Sequence, residues 1–141
     1  HAQSGAVMAF RILDKLGMEA NEIATICSAI GNHDESTAFP VNAVAAALIL
    51  ADKTDVRRTR VRNRDKASFD IHDRVNYAVE KAATTLDAQE KAVVLTLTLD
   101  TEMSAVMDYF EIFLDRMLLC RKAAEKLGLS FRLVVNGQAV M

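Results

Sequence analysis

Three adjacent polar side chains, in the stretch AIGNHDES at positions 29–36, are the first candidates for chemistry. His33 can bind a metal ion through either ring nitrogen, and Asp34 or Glu35 can bind a metal ion or act as a base. They follow an apolar helical pattern that stops at Gly31, so we expect them at the mouth of a helix pair. A polar loop in which Asp34 caps the following segment is the alternative interpretation.

A carboxylate at the end of an apolar helical segment is the second candidate. Asp52 follows VNAVAAALILA, and in such a low-dielectric environment it must be paired, hydrogen-bonded or bound to a cation. If the helix continues, Asp55, Arg58 and Arg62 lie on the same face. Two carboxylates and two guanidiniums could hold a metal ion beside a phosphate. Alternatively, Asp52 pairs with a neighbouring cation and the basic residues form a solvated face.

The other histidines and the cysteines are less informative. His1 stands alone before the first helix, and we expect the His72-Asp73 pair on the surface at the entry to a strand. No phosphate-binding glycine loop, nucleophile elbow or HExxH motif is present in the sequence. Cys27 and Cys120 are far apart in apolar helical patterns, which indicates a reduced, intracellular protein without structural zinc.

Composition limits the class of protein. With 141 residues, 51% of them apolar, the chain can bury a sizeable core. The longest apolar run, 43–51, is about half of a membrane span, so we expect no membrane partner. Seven basic residues lie between Lys53 and Lys66, but the net charge of -2 and the absence of tryptophan argue against binding a nucleic-acid polymer.

The first half of the chain reads as three helices. Apolar residues at helical spacing predict a helix over 5–17, ended by Gly17. A second helix is expected to be capped by Asn21 and ended by Gly31. Pro40 is expected to open the third helix, which is apolar on every side and therefore typical of the centre of a bundle.

The second half changes to an alternating pattern. Val75, Tyr77 and Val79 alternate, as do the apolar residues of 93–99, and the polar turn 87–91 between them predicts a β-hairpin. A long helix and a further strand follow.

The long helix, Glu102–Leu127, is expected to cover the sheet, and the strand around Leu133 leads into the Asn136-Gly137 turn. One broad apolar face of this helix either covers the sheet or mediates homo-oligomerisation; it carries Met103, Val106, Met107, Phe110, Phe113, Leu114 and Met117. The predicted fold is mainly α: a helical bundle over 1–66, then a β-β-α-β module over 67–141 with a small antiparallel sheet packed on the long helix.

Taken in order, HAQSGAVMAFRIL, IGNHDE and AAALILADKTD resemble the later half of the HD superfamily of metal-dependent phosphohydrolases. In that family a His-x-x-x-Gly/Ser helix start precedes an I-x-x-H-H-E segment and a buried helix ending A-D-x-x-D/S. The matching residues are His1, Gly5, Ile30, His33, Glu35, Ala51, Asp52 and Asp55.

Two departures from the family pattern affect this interpretation. Asp34 stands where the family has a second histidine, and the name-giving His-Asp pair belongs upstream of residue 1. Taking His33-Asp34 as that pair, with His1 as the first histidine, leaves too short a gap to Asp52. The resemblance therefore implies the C-terminal portion of a longer HD protein.

The resemblance implies a cytoplasmic phosphohydrolase, phosphodiesterase or nucleotidase with one or two divalent metal ions, such as iron, manganese or magnesium, and a phosphorylated small-molecule substrate. It assigns His1, His33, Asp34 and Asp52 to metal binding, Asp34, Glu35 and Lys53 to catalysis, and Lys53, Arg58 and Arg62 to the substrate phosphate. The alternative function is a non-catalytic regulatory module that binds a phosphorylated ligand or a metal ion in the same pocket.

Overall fold

The chain has an α+β fold, which corrects the mainly α bundle expected from the sequence. The computed structural model describes residues 1–35 and 38–141, and over these it has five α-helices and a four-stranded mixed sheet. In chain order the elements are α1 (Ala2–Lys15), α2 (Ala20–Gly31), α3 (Ala43–Lys53), α4 (Ile71–Ala78), β1 (Val79–Asp87), β2 (Ala92–Leu99), α5 (Val106–Lys126), β3 (Ser130–Val135) and β4 (Gln138–Ala139).

The first two helices form a hairpin, as the apolar spacing predicts. Gly17 has a φ of 73° just beyond α1, a left-handed conformation that ends a helix at little cost for glycine. The predicted start of α2 was wrong by two residues. The carbonyl oxygen of Glu19 accepts the first helical hydrogen bonds, from Glu22 and Ile23, so Asn21 lies inside the first turn.

The third helix begins at Ala43 and not at Pro40. Asn42 is the N-cap, and its side-chain oxygen accepts a 2.8 Å hydrogen bond from the backbone N–H of Ala45, which satisfies a free donor of the first turn. The expectation that α3 is buried on every side was also wrong. Ile49 is fully buried, but Val44 is 48% exposed, because α3 packs on α2 and α5 with one side only.

The segment expected to open the hairpin is a helix. Val75 and Tyr77 belong to α4, whose N-cap Asp70 accepts a 2.7 Å hydrogen bond from the backbone N–H of Asp73. Ile71, Val75 and Ala78 are also spaced for one face of a helix, so the apolar pattern fits both a strand and a helix. The capping hydrogen bond of Asp70 favours the helix. The strand starts at Val79, and the predicted hairpin of β1 and β2 is confirmed from there.

The sheet is mixed, in the order β1-β2-β3-β4, and the prediction of an antiparallel sheet was wrong. The β1–β2 and β3–β4 pairs are antiparallel, but β2 and β3 are parallel. The reason is the 21-residue helix α5 between them, which runs back across the sheet and returns the chain to the same end.

The long helix covers the sheet, as predicted, and α3 joins the same core. Tyr109, Phe113 and Met117 of α5 are at most 2% exposed and pack with the apolar side of β2 and β3. Ile49 of α3 belongs to this cluster, so the core crosses the predicted division between 1–66 and 67–141. The helix begins at Val106, later than expected, because the Asp108 carboxylate accepts the N–H of Ala105 and fixes the start there.

Asn136, in the turn between β3 and β4, connects β3 to the end of β2. Its side chain accepts a 2.8 Å hydrogen bond from the N–H of Leu99 and donates a 3.1 Å bond to the Leu99 carbonyl, and its φ is 49°.

We expect Asn136→Ala to lower the free energy of unfolding by about 2–3 kcal/mol, because two hydrogen bonds are lost and the φ is strained for alanine. Asn136→Gly, which tolerates the φ, should cost about half of that. Urea unfolding measures both, and equal losses would contradict this account of the φ.

Candidate metal and ion-pair site

The close approach of α1 and α2 brings His1 to His33. A Cβ added to Gly5 would lie 3.2 Å from the Ile30 side chain, so the glycine permits the helices to touch there. Gln3 donates a 2.9 Å hydrogen bond to the carbonyl of Gly31 at the end of α2. The start of α1 therefore sits against the loop that follows α2.

The two histidines face each other through the same ring atom. The Nε2 atoms of His1 and His33 are 3.1 Å apart, and the rings meet edge to face at 5.0 Å. The Nδ1 of His33 lies 2.6 Å from the Ile30 carbonyl, a contact in which Nδ1 must be the donor, so in the neutral ring Nε2 is the acceptor. His33 is only 9% exposed, so this tautomer is fixed by a nearly buried bond.

Asp34 lies on the other side of the His1 ring. Its Oδ2 is 4.0 Å from Nδ1 of His1, too far for a direct hydrogen bond but near enough to interact by charge. The structure thus brings three of the predicted metal ligands, His1, His33 and Asp34, into one neighbourhood. Over residues 1–35 and 38–141, no three side chains of His, Cys, Asp or Glu converge closely enough to hold a metal ion.

Lys53 is the centre of a second group of charged residues. It is 3% exposed, and its ammonium lies 2.6 Å from Oδ2 of Asp52 and 3.0 Å from Oε2 of Glu35. The other oxygen of Glu35, Oε1, is in contact with the guanidinium Nε of Arg116 on α5. Two predicted catalytic residues, Glu35 and Lys53, are therefore together, and Asp52 has the paired-cation environment that was the alternative to metal binding.

The pKa of the Glu35 carboxyl is lowered from 4.5 to about 2. Burial acts to raise this pKa, but hydrogen bonds from its own backbone N–H and from Lys53 outweigh burial, and the charges of Arg116 and Lys53 lower it further. Glu35 is therefore a stable carboxylate anion near neutral pH. In this environment it is suited to holding cations in place rather than to exchanging a proton.

The predicted stripe of Asp55, Arg58 and Arg62 does not form, because α3 ends at Lys53. Asp55 pairs with Arg57 and Arg60 instead. The remaining two residues of the stripe, both arginines, lie apart from Asp52.

Arg58 donates a 2.7 Å hydrogen bond to the Tyr77 carbonyl, and its guanidinium lies 4.5 Å from the centre of the Tyr77 ring. Arg62 is exposed. Over the described ranges, neither predicted phosphate-binding arginine forms a hydrogen bond or ion pair with His1 or His33.

Arg116 is the site residue that the sequence interpretation missed. It follows Phe113 by three residues and precedes Cys120 by four, so it lies on the apolar stripe of α5. An arginine within such a stripe is a signal for a buried or half-buried carboxylate partner on another element. Burial raises the pKa of the neighbouring Cys120 thiol to about 12, opposed by the charges of Lys53 and Arg116, so this thiol is a neutral core group.

His72 is exposed, as predicted, but it lies on α4 and not at a strand entry. It lines a cavity of about 190 Å³ together with Arg60, Asp73, Asn76 and Arg116. The positive and negative side chains of this cavity are mixed, and most are already paired, so it has no clear preference for an anion or a cation.

No helix over the described ranges 1–35 and 38–141 is long and apolar enough to cross a membrane.

Comparisons with protein-family models, with curated proteins and with solved structures gave no match.

Stability should depend on the charge of Glu35. Because its pKa is lower in the folded chain, its contribution is present above pH 4.5 and is lost as the pH falls towards 2. More than a quarter of the side chain is exposed, so we expect solvent screening to limit the contribution to about 1–2 kcal/mol. Urea unfolding of Glu35→Gln should show this deficit near neutral pH and none near pH 2. Glu111→Gln, at an exposed position of α5, is the control; a deficit of constant size would contradict the assignment.

Proposed function

We propose that the chain contains the C-terminal part of an HD-type metal-dependent phosphohydrolase domain, which acts on a phosphate ester in a reducing compartment such as the cytoplasm. The observation that carries the proposal is the pair of Nε2 atoms of His1 and His33, 3.1 Å apart. These are the two histidines that the HD resemblance assigns to metal binding. They lie 32 residues apart and on different segments, and the packing at Gly5 brings them together.

The spacing of these atoms fits two ligands of one metal ion. Imidazole nitrogens bind first-row metals at about 2.1 Å, and two of them at angles of 90–110° are then about 3.0–3.4 Å apart. The bond from Nδ1 of His33 to the Ile30 carbonyl is the outer contact typical of metal-binding histidines, since it fixes the ring and leaves Nε2 deprotonated. The Asp34 carboxylate, 4.0 Å from Nδ1 of His1, has the chemistry of a further ligand.

A bound divalent ion would supply activated water and polarise the phosphorus centre of a phosphate ester. The chain's own residues would prepare the site. His33 presents a deprotonated nitrogen from a nearly buried position, and Asp34 places negative charge beside the His1 ring. Lys53 is held by Glu35 and Asp52, and its charge is available to a phosphate oxygen that displaces one carboxylate. The proposal takes the remaining metal ligands from a preceding segment of a longer protein.

The alternative, a regulatory module that binds a phosphorylated ligand or a metal ion without turnover, is favoured by one observation. Glu35, one of the two carboxylates assigned to catalysis, is neutralised by Lys53 and Arg116, and Asp52 is paired with Lys53. A site arranged in this way can bind a ligand but has lost one of its two candidate bases to ion pairing. The two functions can be distinguished by assaying hydrolysis of a generic phosphodiester by the metal-loaded protein. Hydrolysis supports the enzyme, and its absence supports the regulatory module.

Metal binding at the histidine pair can be tested by nuclear magnetic resonance. We expect substoichiometric Mn²⁺ to broaden the imidazole signals of His1 and His33 selectively and to leave the exposed ring of His72 sharp. His33→Ala should raise the dissociation constant for Mn²⁺ by about tenfold or more, because it removes a ligand with a fixed tautomer. His72→Ala is the matched control. Equal broadening of the three histidines, or unchanged affinity in His33→Ala, would refute the site.

Arg58 and Arg62 should respond differently to removal. We expect Arg58→Ala to lower the free energy of unfolding by about 1–2 kcal/mol, because the bond to Tyr77 is lost. Arg62→Ala should leave both stability and inorganic phosphate binding unchanged, because its side chain is exposed and, over residues 1–35 and 38–141, forms no hydrogen bond or ion pair with a residue of the site. Arg64→Ala, exposed on the same segment, is the control. A loss of phosphate affinity in Arg62→Ala but not in Arg64→Ala would place Arg62 in the site and contradict this account.

A further inference from the structure

The first strand of the sheet, β1, has a long free edge. It spans nine residues and, over the described parts of the chain, pairs only with β2. A free edge of this length presents unpaired backbone N–H and C=O groups, and proteins usually shorten, cover or interrupt such edges. In β1 the bulge at Glu80 lies at one end, and the run from Lys81 to Asp87 is regular.

The helical layer covers the start of β1, where Val79 is fully buried, but leaves Thr84 and Leu86 exposed. Ala82, Thr84 and Leu86 are paired with Leu97, Leu95 and Val93, whose side chains are buried against the helices. Leu86 is nevertheless 66% exposed, although it lies on the side of the sheet that faces the core.

A cavity of about 360 Å³ accompanies this edge. Ala82 and Thr84 line one side of it, and Leu50, Ala51 and Thr54 at the end of α3 line the other. The edge of β1 therefore lacks both a neighbouring strand and a covering side chain.

We propose that a second copy of the chain pairs with this edge, β1 antiparallel to β1, to form a continuous eight-stranded sheet. The two-fold axis passes beside Thr84, so that each Thr84 lies opposite Thr84 of the partner subunit. An axis perpendicular to the sheet keeps the two copies of α5 on the same face and makes the contact self-complementary. The proposal is independent of the histidine site.

Side-chain chemistry selects this register. On the solvent face it places Lys81 opposite Asp87 of the partner subunit, which gives two ion pairs by symmetry. Oδ1 of Asp87 accepts the N–H groups of Gln89 and Glu90, which leaves Oδ2 for the lysine. On the core-facing side, Ala82 lies opposite Leu86 of the partner subunit, so the exposed leucine of each copy covers the cavity of the other.

Neighbouring registers are less favourable. A shift of two residues one way brings Leu86 opposite the charged Glu80 at the bulge. A shift of two residues in the other direction places Asp87 opposite Ala83 of the partner subunit. Lys81 then has no residue of the partner strand opposite it. Shifts by one residue put core-facing and solvent-facing side chains opposite each other.

Cysteine cross-linking tests the register. Directly opposed residues have Cα atoms about 4.5–5.5 Å apart, within the range of a disulfide, whereas the Cα atoms of the two copies of residue 82 would be about 14 Å apart. Under mild oxidation we expect Thr84→Cys to give about tenfold or more covalent dimer than Ala82→Cys. Both variants retain Cys27 and Cys120, so the natural thiols are matched. Equal yields from the two variants would overturn the proposal. Equal yields are the result expected if the chain dimerises through the exposed apolar side chains of α1 and not through β1.

Sedimentation equilibrium tests the ion pairs. We expect the natural chain to dimerise and Lys81→Glu to raise the dimer dissociation constant about tenfold, because two attractive pairs become repulsive. High salt should weaken the natural dimer and partly restore that of Lys81→Glu. Lys122→Glu, the same change at an exposed position of α5, should match the natural chain. A monomer at every concentration, or no difference between the two variants, would overturn the proposal.

Discussion

The buried ammonium of Lys53 is the constraint on which the arrangement of the chain depends. At 3% exposure it has lost nearly all contact with water, and a charge in that position is tolerated only when opposite charges surround it. Asp52 lies next to it in the sequence, but Glu35 comes from the loop after α2. The loop must therefore close over the end of α3, and Arg116 of α5 completes the cluster by holding the second oxygen of Glu35.

This cluster and the histidine pair are neighbours because they share one short loop. His33 and Glu35 are two residues apart, and each is held from a different direction. The Ile30 carbonyl holds the ring of His33, while Lys53 and Arg116 hold the carboxylate of Glu35. The stretch from His33 to Glu35 is consequently anchored at both ends. This anchoring reduces the conformational entropy that would be lost when a ligand binds. The orientation of the His33 ring thus follows from the Ile30 carbonyl, and the ion pairs of Glu35 fix the segment that carries the ring.

The elements that sequence reasoning predicted are those whose signals are local. The turn glycine after α1, the hairpin of β1 and β2 and the Asn136-Gly137 turn each depend on a few adjacent residues. Contacts between residues far apart in the sequence have no such local signal, so they could not be predicted from adjacent residues. The helix α4 was mistaken for a strand because Val75 alternates with Tyr77 and Val79 as in a strand, and is also spaced with Ile71 and Ala78 as on one face of a helix. Arg116 was missed because its partner, Glu35, lies 81 residues earlier in the chain. The parallel pairing of β2 and β3 required the path of α5 across the sheet.

The histidine pair and the carboxylates differ in how available they are to a ligand. Because Nδ1 of His33 donates to the Ile30 carbonyl, the neutral ring offers Nε2 as an acceptor, and a cation bound there would replace the contact with Nε2 of His1. Asp52 and Glu35, by contrast, would have to leave Lys53, and a buried ammonium without its partners is costly. A phosphate that enters beside Lys53 would replace the lost negative charge. Metal binding by Asp52 and phosphate binding by Lys53 are therefore expected to be coupled, with each favouring the other.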